Sequence, residues 1–446
     1  MRMNPQATPP PGTHRIVIVG GGAGGLELAT ALGDRMAKRG RAHVTLVERA
    51  RTHFWKPHLH EIAAGSVDLH ARATDYLAQS FWHGFRYRIG EMVGLDRARR
   101  EVHVAPFVDE DGDRVTMART FGYDTLVLAI GSYTNDFGTP GVPEHAIALE
   151  TPIQADRFHR RLVNACIRAH AQDTPLRPEQ LQVAIIGAGA TGVELAAELH
   201  KATRTLVSYG LDRIDPERDI KLNLIEAGPR ILPALPERIS RAADKLLKEL
   251  DVHVRVGARV TSLTENAVHL ASGETIAAEL MVWAAGVKAP DVLRDLDGLE
   301  SNSINQLLVL PTLQTTRDES IFAIGDCAAA PWVGQKGLVP PRAQAAHQQA
   351  SHMVGQIRRR LRGQPLEPWR YRDFGSLVSL GAYSTVGNLM GALIGGSLWV
   401  EGIFARMMYL SLYKMHEVAL HGIWKTALGS ASRLLTRSTE PRIKLH

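Results

Sequence analysis

Cysteine is nearly absent: the 446-residue chain has two, Cys166 and Cys327, in no CxxC or CxxxxC pairing. That excludes a disulfide framework, and with it the redox dithiol that disulfide reductases need. A reducing, intracellular compartment is the simple expectation. The opening residues, MRMNPQATPPPGTH, have no apolar core and are broken by prolines. They do not read as a signal peptide, and they are too short and Arg-poor for a transit peptide. Residues 1–13 are expected to be a disordered lead. No second ligand stands at a zinc-like spacing from His347, so no metal site is expected. Charge of one sign is only slightly in excess, with 52 Lys and Arg against 46 Asp and Glu. The excess is local. From Lys425 to the end, Lys425, Arg433, Arg437, Arg442 and Lys444 oppose Glu440 alone. Such a tail prefers an anionic partner, membrane or nucleic acid. It lacks interleaved aromatics, so no nucleic-acid partner is expected.

What the chain has is repetition. Gly20-Gly21-Gly22-Ala23-Gly24-Gly25-Leu26-Glu27 matches Gly187-Ala188-Gly189-Ala190-Thr191-Gly192-Val193-Glu194. Each copy follows an apolar run, Arg15–Val19 or Val183–Ile186. Each precedes a helix-like stretch, Leu26–Met36 or Val193–Leu206. Each then meets a second strand ending in an acid, His43–Glu48 or Lys221–Glu226. Two further strand-like runs end in Gly131 and Gly286, and IFAIGDCA (321–328) returns the chain to the first unit. The expected fold class is α/β: two Rossmann-like dinucleotide-binding domains, the second inserted in the first, plus a C-terminal membrane-associating region. The expected boundaries are 14–150 and 301–370 for the two parts of the first domain, 151–300 for the second, and 371–446 for the C-terminal region. Length alone calls for two or three cores.

In GxGxxG the first glycine allows the turn, the second admits a pyrophosphate, and the third lets helix and strand pack. The helix N-terminus offers free N–H groups to the phosphates. Gly20, Gly22 and Gly25 fill these roles in the first copy, and Gly187, Gly189 and Gly192 in the second. Glu48 and Glu226 would bind ribose hydroxyls and repel a 2′-phosphate. This favours FAD and NADH over NADPH, although Arg230 lies close to Glu226. Order in the chain suggests that the first site holds FAD. Asp326 is the candidate for a ribityl hydroxyl; its plainer role is a helix N-cap for the residues that follow, and the two can coexist. Glu194 either orients the nicotinamide side or relays a proton, or simply complements the helix dipole, as Glu27 would in the first copy. Gln344 and Gln348 lie four apart, on one helix face. They either donate to a ligand or cap backbone groups.

GGGAGGLELA, LAIGS, GAGATGVELA, WAAG and IFAIGDCA occur in the order found in two-dinucleotide flavoproteins. The finer resemblance is to type II NADH:quinone oxidoreductases, single-subunit and non-proton-pumping, in their proteobacterial form. It rests on HFWKPHLHEIAAG (53–65), PPRAQAAHQQ (340–349), which is similar to the family's AQxAxQ quinone motif, and RMMYLSLYKMHEVALHGIWK (406–425). The resemblance implies FAD contacts at Gly20, Gly22, Gly25, Glu48, Lys56 and Asp326, with Gly131 on the same site. It implies NADH contacts at Gly187, Gly189, Gly192, Glu194 and Glu226, with Gly286 beside them. It places Gln344 and Gln348 by the flavin ring and a membrane quinone. Lys56 stands where many members have Gln, and Gln349 where many have Glu. The implied location is peripheral, on the cytoplasmic face of the inner membrane, and a homodimer is left open. Two other functions remain: a sulfide:quinone oxidoreductase, for which the cysteines are poorly placed, and a partner-binding or redox-sensing flavoprotein.

Residues Phe374–Val400 carry no charge, but their Gly, Ser, Tyr and Asn content favours strands and turns over a membrane span. Beyond them, Phe404, Met408, Leu412, Met415, Ala419 and Ile423 fall on one face of a helix, opposite Arg406, Lys414, Glu417, His421 and Lys425. With the basic tail, this reads as a helix lying in the interface of an anionic bilayer.

Overall fold

The runs RIVIV and QVAII are apolar at every position but the first, the pattern of strands covered on both faces. In the computed structural model, which describes residues 12–69, 73–380, 384–390, 397–401, 411, 414–436 and 443, they are the central strands of two parallel sheets. The first sheet contains β1 (Arg15–Val19), β2 (His43–Glu48), β3 (Arg86–Ile89) and β4 (Thr125–Leu128). The second contains β5 (Ile147–Ala148), β6 (Gln182–Ile186), β7 (Lys221–Ile225), β8 (Val252–Arg255) and β9 (Leu280–Trp283). The fifth strand of the first sheet, β10 (Ile321–Ala323), arrives only after the second sheet is complete. The strand orders are β10-β4-β1-β2-β3 and β5-β9-β6-β7-β8. The second unit is therefore inserted between β4 and β10.

Each unit repeats the same path. β1 leads into helix α1 (Ala23–Arg35) and β2; β6 leads into α4 (Ala190–Ser208) and β7. The intervening helices are α2 (Tyr76–His83) and α3 (Pro152–Ala171). α3 begins at a capping box in which Thr151 and Gln154 bond each other's backbone N–H groups. Each unit also carries a three-stranded antiparallel sheet, Met92–Asp96 with Glu101–Val104 and Arg119–Gly122, or Val260–Thr264 with Ala267–Leu270 and Thr275–Ala277. Separate apolar cores follow, one around Ile16, Leu126 and Phe322, another around Ile185, Leu195 and Leu224.

After β10, α5 (Ala343–Leu361) packs along α1. The uncharged stretch forms strands, as its composition suggests: β11 (Ser376–Leu380), β12 (Ser384–Met390) and β13 (Ser397–Glu401) make an antiparallel sheet. Among the described residues no helix is long and apolar enough to cross a membrane. The amphipathic helix expected through Lys425 is instead broken. Residues 414–421 are helical, Gly422 turns left-handed at φ +79°, and α6 (Ile423–Thr436) starts afresh. A glycine at positive φ ends a helix because nothing is strained there. Phe404, Arg406, Met408 and Leu412 lie outside the described residues, as do Arg437, Arg442 and Lys444.

Candidate active site

The two glycine turns are superimposable in their chemistry. Gly20 and Gly187 have φ of +100° and +102°, and a Cβ on either would strike the neighbouring strand's backbone, at 129–130 or 284–285. A Cβ on Gly25 would sit on the Gly20 carbonyl oxygen, and one on Gly192 on the Gly187 carbonyl oxygen. A Cβ on Gly22 or Gly189 would meet nothing within 4 Å. Those two glycines are the N-caps of α1 and α4, and among the described residues no side chain bonds either helix start. Each cleft thus presents open space in front of free backbone N–H groups, the cradle a pyrophosphate requires.

The acids hold the turns. Glu48 accepts hydrogen bonds from Gly21 N–H (2.6 Å) and Ala50 N–H (2.9 Å). Glu226 accepts from Ala188 N–H (2.9 Å) and Gly228 N–H (2.7 Å). A carboxylate has about four acceptor sites, so each keeps capacity for ribose hydroxyls.

Both clefts open onto one cavity of about 1720 Å³. Single-ligand pockets run to roughly 1,000 Å³, so this one has room for two nucleotides. Its wall includes Gly20, Gly22, Glu48, Lys56, Gly131 and Asp326 from the first unit's side. Gly189, Glu194, Gly286 and Gln344 complete it. Lys56 Nζ donates to the Ser132 carbonyl (2.9 Å), and Ser132 Oγ donates to Asp326 Oδ2 (2.8 Å). Burial pulls the Lys56 ammonium below its ordinary value, against the attraction of Asp326 and Glu150. A flexible, half-desolvated cation beside a hydroxyl and a carboxylate suits a polar flavin chain and its phosphates. The residues present therefore fit FAD.

Gly25, Gly187, Gly192, Glu226 and Gln348 are not on that wall. For the glycines and Glu226 the reason is their part in building the turns. For Gln348 it is a competing partner. Its amide donates to the Arg372 carbonyl (2.8 Å) and accepts from Arg372 N–H (3.0 Å). Gln344 reaches the wall but is also engaged, donating to the Gly375 carbonyl at 2.9 Å. The pair, expected beside the flavin ring and quinone, also bonds the backbone of the segment leading to β11. Gln349 is buried and accepts from Gly325 N–H at 2.6 Å, so it positions the loop that carries Asp326. Glu194 accepts from Ser379 N–H (3.0 Å) and lies 3.6 Å from His60 Nδ1, whose imidazole is pushed down to about 4 by burial.

Sequence reasoning missed a buried cluster on the same wall. Glu27 receives His347 Nδ1 on Oε2 and His416 Nδ1 on Oε1, each at 2.6 Å. His416 Nε2 meets His53 Nε2 at 2.9 Å, and His53 Nδ1 meets the Gly21 carbonyl at 2.9 Å. The one available signal was the match of Glu27 to Glu194 in the repeat. The histidines come from three distant segments, and no spacing announces them.

Residues 14–350 match the pattern of the family described as pyridine nucleotide-disulphide oxidoreductase. A type II NADH:quinone oxidoreductase of Haemophilus influenzae is 44% identical over 97% of this chain and 99% of its own length. One from Staphylococcus aureus is 27% identical over 86% and 91%. The chain belongs to the type II NADH:quinone oxidoreductase family. The solved structure of NDH2 from Plasmodium falciparum in complex with NADH shares the fold of this family member, with a TM-score of 0.81 at 18% identity over 97% of this chain and 100% of that one. The sulfide:quinone oxidoreductase of Aquifex aeolicus gives 0.71 at 17% identity over 96% and 95%.

Within this family member both cysteines are closed off from the cavity. Cys166 and Cys327 are both buried and unpaired, and burial pushes their thiols up to about 12 and about 11. Neither is on the cavity wall. The sulfide reading, which needs cysteines near the flavin, has no support here.

Proposed function

We propose that the chain oxidises NADH and reduces a membrane quinone, through FAD held in the first cleft. The observation that carries this is the single cavity shared by two glycine turns of the same construction. When bound, FAD takes the hydride of NADH and passes on two electrons. The protein's own part is placement: α1 and α4 aim their N-termini at the two pyrophosphates, and Glu48 and Glu226 fix the riboses. Lys56, Ser132 and Asp326 form the polar floor of the flavin side. Glu226 sets the donor, since a 2′-phosphate would meet a carboxylate.

A lipid-soluble substrate calls for contact with a bilayer. α2 exposes Leu77, Phe81 and Trp82, and α6 exposes Ile423, Trp424 and Leu428. Lys425 Nζ lies 5.1 Å over the Trp82 ring, which joins the two groups into one patch. Apolar and aromatic side chains with basic ones among them suit an anionic lipid surface. We place the enzyme there as a peripheral protein on the cytoplasmic face.

The test is a steady-state assay of purified protein, with NADH or NADPH against a short-chain ubiquinone and a menaquinone analogue. NADH-dependent reduction of at least one quinone is expected. Reduction of the bound flavin by NADH with no transfer to either quinone overturns the reading.

A further inference from the structure

The hydrogen bonds around Glu27 fix where its protons are. The Gly21 carbonyl can only accept, so His53 carries its proton on Nδ1. His53 is fully buried, and burial drives its imidazole down to about 3, so its Nε2 is an acceptor. His416 Nε2 meets that nitrogen at 2.9 Å, and His416 Nδ1 faces the Glu27 carboxylate at 2.6 Å. The ring is stacked on Trp55 at 3.9 Å between ring centroids, which holds it against Glu27 inside the protein. Burial pushes the Glu27 carboxyl up, but the hydrogen bonds from His347 and His416 outweigh it and hold it below its ordinary value.

His347 completes the arrangement. Its Nδ1 is taken by Glu27 Oε2, which leaves Nε2 as the nitrogen available to the cavity that His347 lines. It stands on α5 one turn beyond Gln344. Resting on the quinone-reductase reading above, we propose that His347 is the proton donor to the quinone, with Glu27 as its positioning carboxylate and His416 and His53 as the lock on Glu27.

The step balances. NADH, one proton and a quinone give NAD⁺ and a quinol; two electrons move, the nicotinamide C4–H bond breaks and two quinone O–H bonds form. One hydrogen originates from NADH. The other leaves His347 Nε2, and the neutral ring stays bound to Glu27 through Nδ1–H. Solvent reaching the open cavity would then restore the Nε2 proton. The charged group facing His347 is Glu27 from α1, with His416 behind it. Lys414–Glu417 and His421 flank His416, and on α5 itself Arg342 is paired with Asp373. The bond to Glu27 raises the His347 imidazole above its ordinary 6.5, against burial. The donor form therefore persists to higher pH than in a free imidazole and is lost as pH rises through that raised value.

Two variants of the holoenzyme, H347N and E27Q, test this. In rapid mixing, reoxidation of NADH-reduced H347N by a short-chain ubiquinone should be about a hundredfold slower or more, the low end of general-acid effects. Reduction of its flavin by NADH should be unchanged. In ¹⁵N-histidine NMR of the oxidised enzyme, the His347 midpoint should lie above 6.5 and fall in E27Q. The rate of the quinone step should decline with rising pH from a lower pH in E27Q than in the parent. An H347N enzyme that quinone reoxidises at the parent rate overturns the assignment, and so does a His347 midpoint indifferent to E27Q. If E27Q fails to fold, H347N and the His347 midpoint of the parent still decide. A parent enzyme that NADH reduces but no quinone reoxidises overturns the function reading itself.

Discussion

Glu226 holds the second glycine turn through Ala188 and Gly228, and its carboxylate keeps acceptor capacity for the ribose we assign to it. Hydrogen bonds to a charged group are worth about 1.5–3 kcal/mol. Glu226→Ala should therefore raise the KM for NADH about tenfold or more, measured at saturating quinone. Glu226→Gln keeps one acceptor for the turn and should fall between. An unchanged KM in the alanine variant would remove the ribose role. Glu27 carries a different consequence. Its lowered carboxyl stabilises the fold above the ordinary 4.5, and that stability is lost as pH falls through the lowered value. The raised His347 imidazole contributes fully below 6.5 and is lost as pH rises through its folded value. The thermal midpoint should thus be highest between the two and decline on both sides. In Glu27→Gln both slopes should flatten; slopes that persist would assign the pH dependence to other groups. Glu226 was legible in the sequence because it closes a motif of local spacing. The partners of Glu27 were not, because they stand 320 and 389 residues away along the chain.

At the scale of the element, the glycine turns show why one motif tolerates change at one position and not at another. A methyl at Gly189 enters open space, whereas a methyl at Gly192 would sit on the Gly187 carbonyl oxygen. Gly189→Ala should fold with an unaltered melting temperature and a weakened affinity for NADH, since the methyl occupies the pyrophosphate's approach. Gly192→Ala should lower the melting temperature by several degrees, because α4 must move away from β6. Circular dichroism melts with an NADH titration separate the two; equal destabilisation would mean that both glycines serve only the turn. These strand–turn–helix units are built from contacts a few residues apart, so apolar runs and glycine spacing located β1, β2, β6 and β7 directly. The C-terminal helix was harder. Its apolar stripe passes through Gly422, and a glycine can extend a helix or end one. Tertiary packing decides, and here Leu420 is buried on one side of the break while Ile423 is exposed on the other. The amides of Gln344 and Gln348 were ambiguous for a similar reason: helical spacing puts them on one face but does not say what lies against it.

For the whole molecule, the insertion of one dinucleotide unit in another brings two clefts to one cavity, and the returning chain lays α5 over the first unit and β11 against α4 of the second. This makes the end of the chain part of the core as well as of the surface. His416 and Leu420 are buried, and Gln79 Nε2 donates to the Leu420 carbonyl at 2.9 Å. Deleting everything after Glu401 would test membrane attachment badly, because it would also strip these groups from the interior; losing a buried leucine side chain alone costs about 2–5 kcal/mol. Point changes on the exposed patch avoid that. Trp82 and Trp424 are 50% and 83% exposed, so the double variant Trp82→Ser, Trp424→Ser removes apolar surface with little loss of packing. It should keep the parent melting temperature and NADH-to-dye activity. Its binding to vesicles containing anionic lipid should weaken about tenfold or more, as expected when two buried aromatic anchors are lost from an interfacial site. Adding salt should weaken the parent further through Lys425 and the basic residues beyond it. Parent and variant that sediment equally with those vesicles would move the membrane contact away from α2 and α6.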